Sequence, residues 1–118
     1  MLTPYAPEVN EVVRSYLSRH GTEVTAFATF NKRDDRDAAR ISVGSIATGI
    51  TTLARSARLD AVFVSCTSLR LAEQIEQLEA VLGKPVTSSN HALAWHTLRL
   101  AGYGESIEGF GALLRTRN

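Results

Sequence analysis

Hydrophobic residues recur along this chain with two alternating spacings. Four segments carry apolar residues three or four positions apart, the period of an amphipathic helix: 7–20, 42–58, 69–82 and 89–100. Short runs rich in β-branched, aromatic or other apolar residues lie between them, at 23–30, 60–65 and 84–87. This order predicts an α/β fold, a three-layer sandwich in which helices cover a mainly parallel sheet.

Local signals mark where the predicted helices begin and end. Pro7 suits the first turn of a helix, where its missing N–H costs no hydrogen bond. Ser42 can cap the second helix, and Gly83 can stop the third. Ser89 or Asn90 can cap the last helix.

Three segments fit this pattern less simply. Residues 32–40, KRDDRDAAR, mix both signs of charge, which favours a solvated turn and leaves a phosphate- or carboxylate-binding loop as the alternative. The glycine-rich tail from Tyr103 is irregular, and three of its residues require apolar cover: Phe110, Leu113 and Leu114. Only residues 1–3 precede Pro4, so the strand that should lead into the first helix is almost absent. We therefore expect the chain to begin within a larger fold.

The composition narrows the class of partner. A chain of 118 residues with 44% hydrophobic content predicts one compact domain, residues 1–118. Its net charge of +1 gives no electrostatic reason to expect a nucleic acid or a membrane surface as partner. No apolar run reaches the roughly 20 residues of a membrane span. A lone cysteine, without a signal-peptide pattern, indicates a reducing, cytoplasmic location.

Cys66 lies where the predicted strand 60–65 gives way to the next helix. Ligands of open α/β sheets bind at this edge, and a helix N-terminus there would favour a thiolate and hold a carboxylate. The neighbouring hydroxyl residues Ser65, Thr67 and Ser68 suit the orientation of an oxyanion. The alternative is a buried cysteine that acts as a small hydrophobic residue. These features indicate a site but name no reaction.

Other polar residues have simpler structural explanations. His91 and His96 are separated by about 140° around a helix, so they do not readily share a metal, and no metal site is predicted. His91 is instead expected to pack against Trp95, one turn further along. A solvated helix face is predicted for three glutamates: Glu73, Glu76 and Glu79.

Several motifs together resemble one enzyme family. The strings are TPY at 3–5, SCTSLR at 65–70, E-x-x-LGKPV at 79–86, SSN-x-A-x-x-WH-x-x-R at 88–99 and GFG-x-LL at 109–114. This combination resembles the C-terminal lobe of the aspartate/glutamate racemase superfamily, in its maleate isomerase and arylmalonate decarboxylase group. The resemblance spans almost the whole chain.

The resemblance implies a flavodoxin-like lobe, one of two pseudo-symmetric lobes that enclose an active site needing no cofactor or metal. Cys66 would then be the catalytic thiol of this lobe and would handle a proton at carbon. Tyr5 matches the family tyrosine whose hydroxyl binds a substrate carboxylate. The N–H groups of Thr67 and Ser68 would complete that carboxylate site, and Asn31 is matched to a family asparagine that contacts substrate.

Two functions remain open at this point. The first is an isomerase, racemase or decarboxylase, best matched by maleate isomerase, which acts on a small carboxylate or dicarboxylate. The second is a non-catalytic α/β module that binds a ligand or a protein. Nothing in residues 1–118 resembles the first lobe, so we expect half a site with little turnover. The missing half would come from an absent N-terminal lobe or from another copy in a homo-oligomer.

Overall fold

Residues 1–117 are described by a computed structural model, and residue 118, the last of the expected domain, lies outside them. One sheet contains four parallel strands: β1 (Leu2–Thr3), β2 (Ala28–Thr29), β3 (Val62–Val64) and β4 (Val86–Ser88). The helices are α1 (Pro7–Arg19), α2 (Asp35–Ala39), α3 (Val43–Ser56), α4 (Ile75–Leu82), α5 (Ser89–Leu100) and α6 (Ala112–Arg115). The predicted α/β fold with a parallel sheet is confirmed.

The strand order is β2-β1-β3-β4. The chain therefore leaves β1 in one direction to reach β2, and later crosses back over β1 to form β3. This reversal makes the β1–β3 junction the switch point of the sheet, where a crevice opens beyond the carboxyl ends of the strands. A ligand site in this crevice would therefore be formed by the residues that follow β1 and β3.

One face of the sheet is sealed by α3 and α4. α3 packs on β1, α4 packs on β4, and the two helices contact each other. Their apolar stripes are buried as predicted, with Ile46, Ile50 and Ile75 each fully inaccessible. α3 approaches β1 so closely that a Cβ added at Gly49 would lie 3.1 Å from Leu2 Cδ2. Glycine has a low helix propensity, but at position 49 the absence of a side chain permits the close packing of α3 on β1.

The leading strand that the sequence appeared to lack is β1, at the centre of the sheet. Both of its residues pair with β2 on one side, and Leu2 pairs with Val64 of β3 on the other. Backbone bonds to it come from Ala28, Phe30 and Ser65, whose N–H groups donate to the carbonyls of residues 1, 3 and 2 respectively. Because these hydrogen bonds from neighbouring strands hold β1 in the sheet, a strand of only two residues can occupy an interior position.

Other predicted boundaries were wrong in informative ways. The strand expected at 23–30 contains only Ala28–Thr29, since β1 offers two residues to pair with. The helix expected from residue 69 begins at Ile75, preceded by a 3₁₀ turn at Ala72–Gln74. Ser88, rather than Ser89 or Asn90, caps α5 by accepting a hydrogen bond from the His91 N–H. Residues 32–40 contain the short helix α2 in place of a simple turn.

The C-terminal segment, residues 103–117, is docked by carboxylates that were expected to be solvated. Glu79 is only 10% exposed, and its two oxygens accept the N–H groups of Val86 and Ala112 at 2.9 and 2.7 Å. Glu76 pairs with Arg115 at 2.9 Å. The predicted solvated face was wrong for Glu79, because buried backbone donors outside α4 required acceptors, whereas the Glu76 side chain remains 43% exposed. Leu114 is buried and has the apolar cover that the sequence predicted, but the same prediction was wrong for Phe110, which is 37% exposed.

No helix within residues 1–117 has the length and apolar character required to cross a bilayer.

Candidate active site

The carboxyl edge of the sheet collects the residues that follow each strand. Asn31 follows β2, Tyr5 follows β1, Cys66 follows β3 and Ser89 follows β4. Tyr5 and Cys66 therefore face each other across the β1–β3 switch point. Asn31 lies at the same edge beyond β1, about 10 Å from the β3 end when two strand spacings are counted.

Cys66 occupies an unusual backbone conformation. Its φ is 136°, a value that side-chain-bearing residues rarely adopt, and its side chain is buried at 5% exposure. Such a conformation costs about 1–3 kcal/mol and persists only where its surroundings enforce it. The cost indicates that the position of the thiol, rather than local backbone preference, is what the fold maintains here.

Hydrogen bonds enforce this conformation from within the cysteine turn, residues 66–69, and from α5. The Cys66 N–H donates to Ser89 Oγ at 3.1 Å, and the Leu69 N–H donates to the Cys66 carbonyl at 3.3 Å. The Ser68 N–H donates to Cys66 Sγ at 3.4 Å. A backbone donor directed at the sulfur stabilises negative charge on it.

The helix N-terminus that contacts this turn is that of α5. The sequence predicted that the next helix along the chain would follow the thiol directly, but α4 begins only at Ile75. Instead, Asn90 Nδ2 in the first turn of α5 donates to the carbonyls of Thr67 and Leu69, at 2.9 and 3.4 Å. Ser89 and Asn90 thus belong to the site, although the sequence suggested them only as helix caps.

Tyr5 presents its hydroxyl to the same place. The half-buried ring packs on the core cluster that contains Cys66. Burial raises the pKa of the Tyr5 hydroxyl, the neighbouring Ser65 hydroxyl lowers it, and charge on Cys66 or Asp35 raises it further. The phenol therefore stays protonated at neutral pH and is available as a hydrogen-bond donor.

The remaining predicted site residues are more exposed. Thr67 is exposed and Ser68 is half-buried, both within the cysteine turn. Asn31 is exposed and has a φ of 50°. A depression of about 340 Å³ beside Tyr5 is lined in part by Lys32, Arg33 and Asp35. Asn31 does not line this depression, although the next residue, Lys32, does.

The larger cavity, about 900 Å³, lies at the opposite edge of the sheet. Its lining includes Met1, Val24 and Asp60, which precede β1, β2 and β3 respectively. None of the predicted site residues contributes to it. We assign the site by the chemistry at the carboxyl edge, because volume alone indicates no reaction.

His91 is buried near the carboxyl edge of the sheet, and its ring forms two hydrogen bonds. Its Nε2 donates to the Phe110 carbonyl at 2.7 Å, which leaves Nδ1 to accept from the Thr87 hydroxyl at 3.1 Å. Burial lowers the pKa of the ring and keeps it neutral. The Trp95 ring lies 6.3 Å from the His96 ring and 5.7 Å from the guanidinium carbon of Arg99, and the packing of His91 on Trp95 stays a prediction. Among residues 1–117, no group of three His, Cys, Asp or Glu side chains is placed to hold a metal.

Known proteins are similar to this chain in both sequence and fold. The family model for arylmalonate decarboxylase matches residues 1–114. Arylmalonate decarboxylase of Bordetella bronchiseptica is 27% identical over 115 residues, which is 96% of this chain and 48% of that protein. The chain thus spans about half the length of this relative.

Solved structures give the same relationship. A crystal structure of arylmalonate decarboxylase superposes with a TM-score of 0.84 at 28% identity, covering 96% of this chain and 51% of that one. A maleate isomerase of Pseudomonas putida S16, solved with maleate, gives 0.88 at 25% identity, with coverage of 97% and 46%. The maleate cis-trans isomerase of Nocardia farcinica gives 0.84 at 26%, again with 97% and 46%. The fold is therefore one lobe of the type found in these proteins, and the chain belongs to the arylmalonate decarboxylase family.

Proposed function

We propose that this chain provides one side of an active site that acts on a small carboxylate or dicarboxylate, with Cys66 as an acid/base thiol. Maleate isomerisation is the reaction we propose from the sequence motifs. Decarboxylation, the activity for which the matching family is named, and racemisation use the same proton chemistry. The observation that carries the proposal is the enforced φ of 136° at Cys66, at the switch point of the sheet. Strain retained at a ligand-binding edge is typical of a functional residue.

Cys66 would exchange a proton with carbon. In decarboxylation, the carbon–carbon bond to the departing CO₂ breaks, its electron pair forms an enediolate, and the Cys66 thiol protonates the carbon. In isomerisation, a thiolate from the facing lobe adds to the double bond while Cys66 protonates the adjacent carbon. After rotation about the new single bond, Cys66 removes that proton and the first thiolate leaves. The Ser68 N–H at 3.4 Å from Sγ stabilises the thiolate stage of either sequence.

Substrate carboxylate would be held opposite the sulfur. The Tyr5 hydroxyl, protonated because its pKa is raised, is one donor to this carboxylate. The Thr67 N–H is a second donor, since the Ser68 N–H is already directed at Sγ. Asn31 and the depression beside Tyr5 provide room for a further polar group of the substrate. This arrangement needs neither metal nor organic cofactor.

Related structures support cysteine chemistry on small dicarboxylates. A variant of the Nocardia farcinica isomerase, 25% identical to this chain, was solved with a covalently bound succinylcysteine intermediate. The Pseudomonas putida enzyme was solved with maleate. We extend this substrate class to the Cys66 site.

The facing side of the site would come from a second lobe, either an N-terminal lobe or another copy of this chain. Relatives about twice as long support the need for a second lobe. Size-exclusion chromatography with light scattering separates the two sources, and a monomer under native conditions excludes the homo-oligomer. The single cysteine of residues 1–118, with no disulfide partner among them, is consistent with a reducing compartment, and we propose a cytoplasmic location.

Charge-selective alkylation tests the proposed site without requiring turnover. Iodoacetate carries a carboxylate and iodoacetamide does not, so a carboxylate site beside Cys66 accelerates iodoacetate selectively. We expect the ratio of the two rates to exceed that of N-acetylcysteine by about tenfold for each donor that forms a charge-assisted hydrogen bond to the carboxylate. A ratio equal to that of the free thiol contradicts the proposal and favours the non-catalytic module.

A further inference from the structure

Ser89 and Asn90 form hydrogen bonds that their own helix does not require. Ser88 is the N-cap of α5 and already accepts the His91 N–H. The Ser89 hydroxyl instead accepts the Cys66 N–H at 3.1 Å. The Asn90 amide donates to the carbonyls of Thr67 and Leu69 at 2.9 and 3.4 Å. Both side chains therefore reach across to the end of the neighbouring strand.

The orientation of the Asn90 amide follows from chemistry. Both of its partners are carbonyl oxygens, which only accept, so the NH₂ group must face the cysteine turn. One NH₂ group therefore holds two carbonyls two residues apart. This fixes the direction of the peptide groups between them, including the one that carries the Ser68 N–H.

We propose that Asn90 and Ser89 are positioning residues for Cys66, an inference that rests on the proposed function of the thiol. A φ of 136° is not held by local backbone preference, and the turn relaxes when its external partners are removed. Relaxation withdraws the Ser68 N–H from Sγ and moves the Thr67 N–H away from the carboxylate. Asn90 thus acts on the reaction through the turn without touching substrate.

The ratio of iodoacetate to iodoacetamide alkylation at Cys66 tests this role in the full chain. Asn90→Ala should lower the ratio about fivefold to tenfold, because the carboxylate donors lose their alignment. Asn90→Gln retains the donor on a longer side chain and should restore part of the ratio. Ser89→Ala should produce a smaller decrease of the same kind.

Ser88→Ala is the matched control. It removes the N-cap of the same helix and should lower stability in urea while leaving the alkylation ratio unchanged. Equal ratios in wild type and Asn90→Ala, both above that of N-acetylcysteine, would overturn the positioning role and leave the proposed function intact. An equal decrease in Ser88→Ala and Asn90→Ala would reduce Asn90 to a structural role. A wild-type ratio at the free-thiol value would instead count against the proposed function itself.

Discussion

Replacing Gly111 with alanine tests how the C-terminal segment is docked. Gly111 has a φ of 86° and a ψ of 177°, a region open essentially to glycine alone. A Cβ there would lie 2.5 Å from Ile75 Cγ2 and 3.0 Å from Glu79 Oε2. The alanine must therefore distort its backbone and displace the carboxylate that accepts the Ala112 N–H.

The expected cost combines these two effects. Backbone strain of this kind costs about 1–3 kcal/mol for a residue with Cβ, and overpacking of a filled site adds about 1–3 kcal/mol. Gly111→Ala should therefore lower the free energy of unfolding by about 2–6 kcal/mol. Gly109→Ala is the control, since Gly109 has a φ of 87° but no neighbour within 4 Å of an added Cβ. It should cost only the first contribution.

Urea unfolding followed by two probes measures the difference. Far-UV circular dichroism reports the whole fold, whereas Trp95 reports the C-terminal segment because its Nε1 donates to Thr116 Oγ1 at 3.0 Å. If the segment undocks before the core unfolds, the fluorescence transition of Gly111→Ala precedes the dichroism transition. Equal destabilisation by Gly111→Ala and Gly109→Ala would refute the proposed steric conflict with Ile75 and Glu79.

Three further substitutions have defined outcomes. Tyr5→Phe should lower the iodoacetate-to-iodoacetamide ratio about tenfold, because the carboxylate loses a donor; the lost hydrogen bond between Tyr5 and Cys66 affects both reagents and cancels in the ratio. Glu79→Gln should destabilise the fold by about 1–3 kcal/mol in urea, since one amide oxygen cannot serve two backbone N–H groups. Burial lowers the pKa of His91 below its ordinary value of 6.5. The neutral ring therefore contributes its full stability above pH 6.5, and this contribution is lost as the pH falls from 6.5 through the lowered pKa. His91→Gln should make the free energy of unfolding less dependent on pH, whereas His96→Gln should leave that dependence unchanged.

The helices that carry a one-sided apolar stripe were predictable from the sequence. α3 is the clearest case, because its apolar positions repeat at helical spacing and Ser42 caps it as expected, accepting the Ser45 N–H at 3.1 Å. β1 was not predictable by the same approach. Its two residues acquire strand geometry from β2 and β3, so the decisive interactions lie outside the local pattern.

The grouping of Tyr5 with Cys66 follows from general rules. Residues after adjacent parallel strands meet at one edge, and the chain reversal at β1 selects which two strands flank the crevice. The parts played by Asn90 and Glu79 could not be inferred in this way. A polar side chain on a helix can form hydrogen bonds at its own helix end or with a backbone group far along the chain. Only the packing of α5 and α4 determines which of these hydrogen bonds Asn90 and Glu79 form.

Protection by malonate tests most directly whether Cys66 faces a bound carboxylate. Intact-mass spectrometry follows Cys66 alkylation by the neutral reagent iodoacetamide at increasing malonate concentration, with Tyr5→Phe measured alongside. We expect a saturable decrease in the alkylation rate, with a half-effect concentration about tenfold higher in Tyr5→Phe. An alkylation rate that does not respond to malonate in the wild-type protein would contradict a carboxylate site at Cys66.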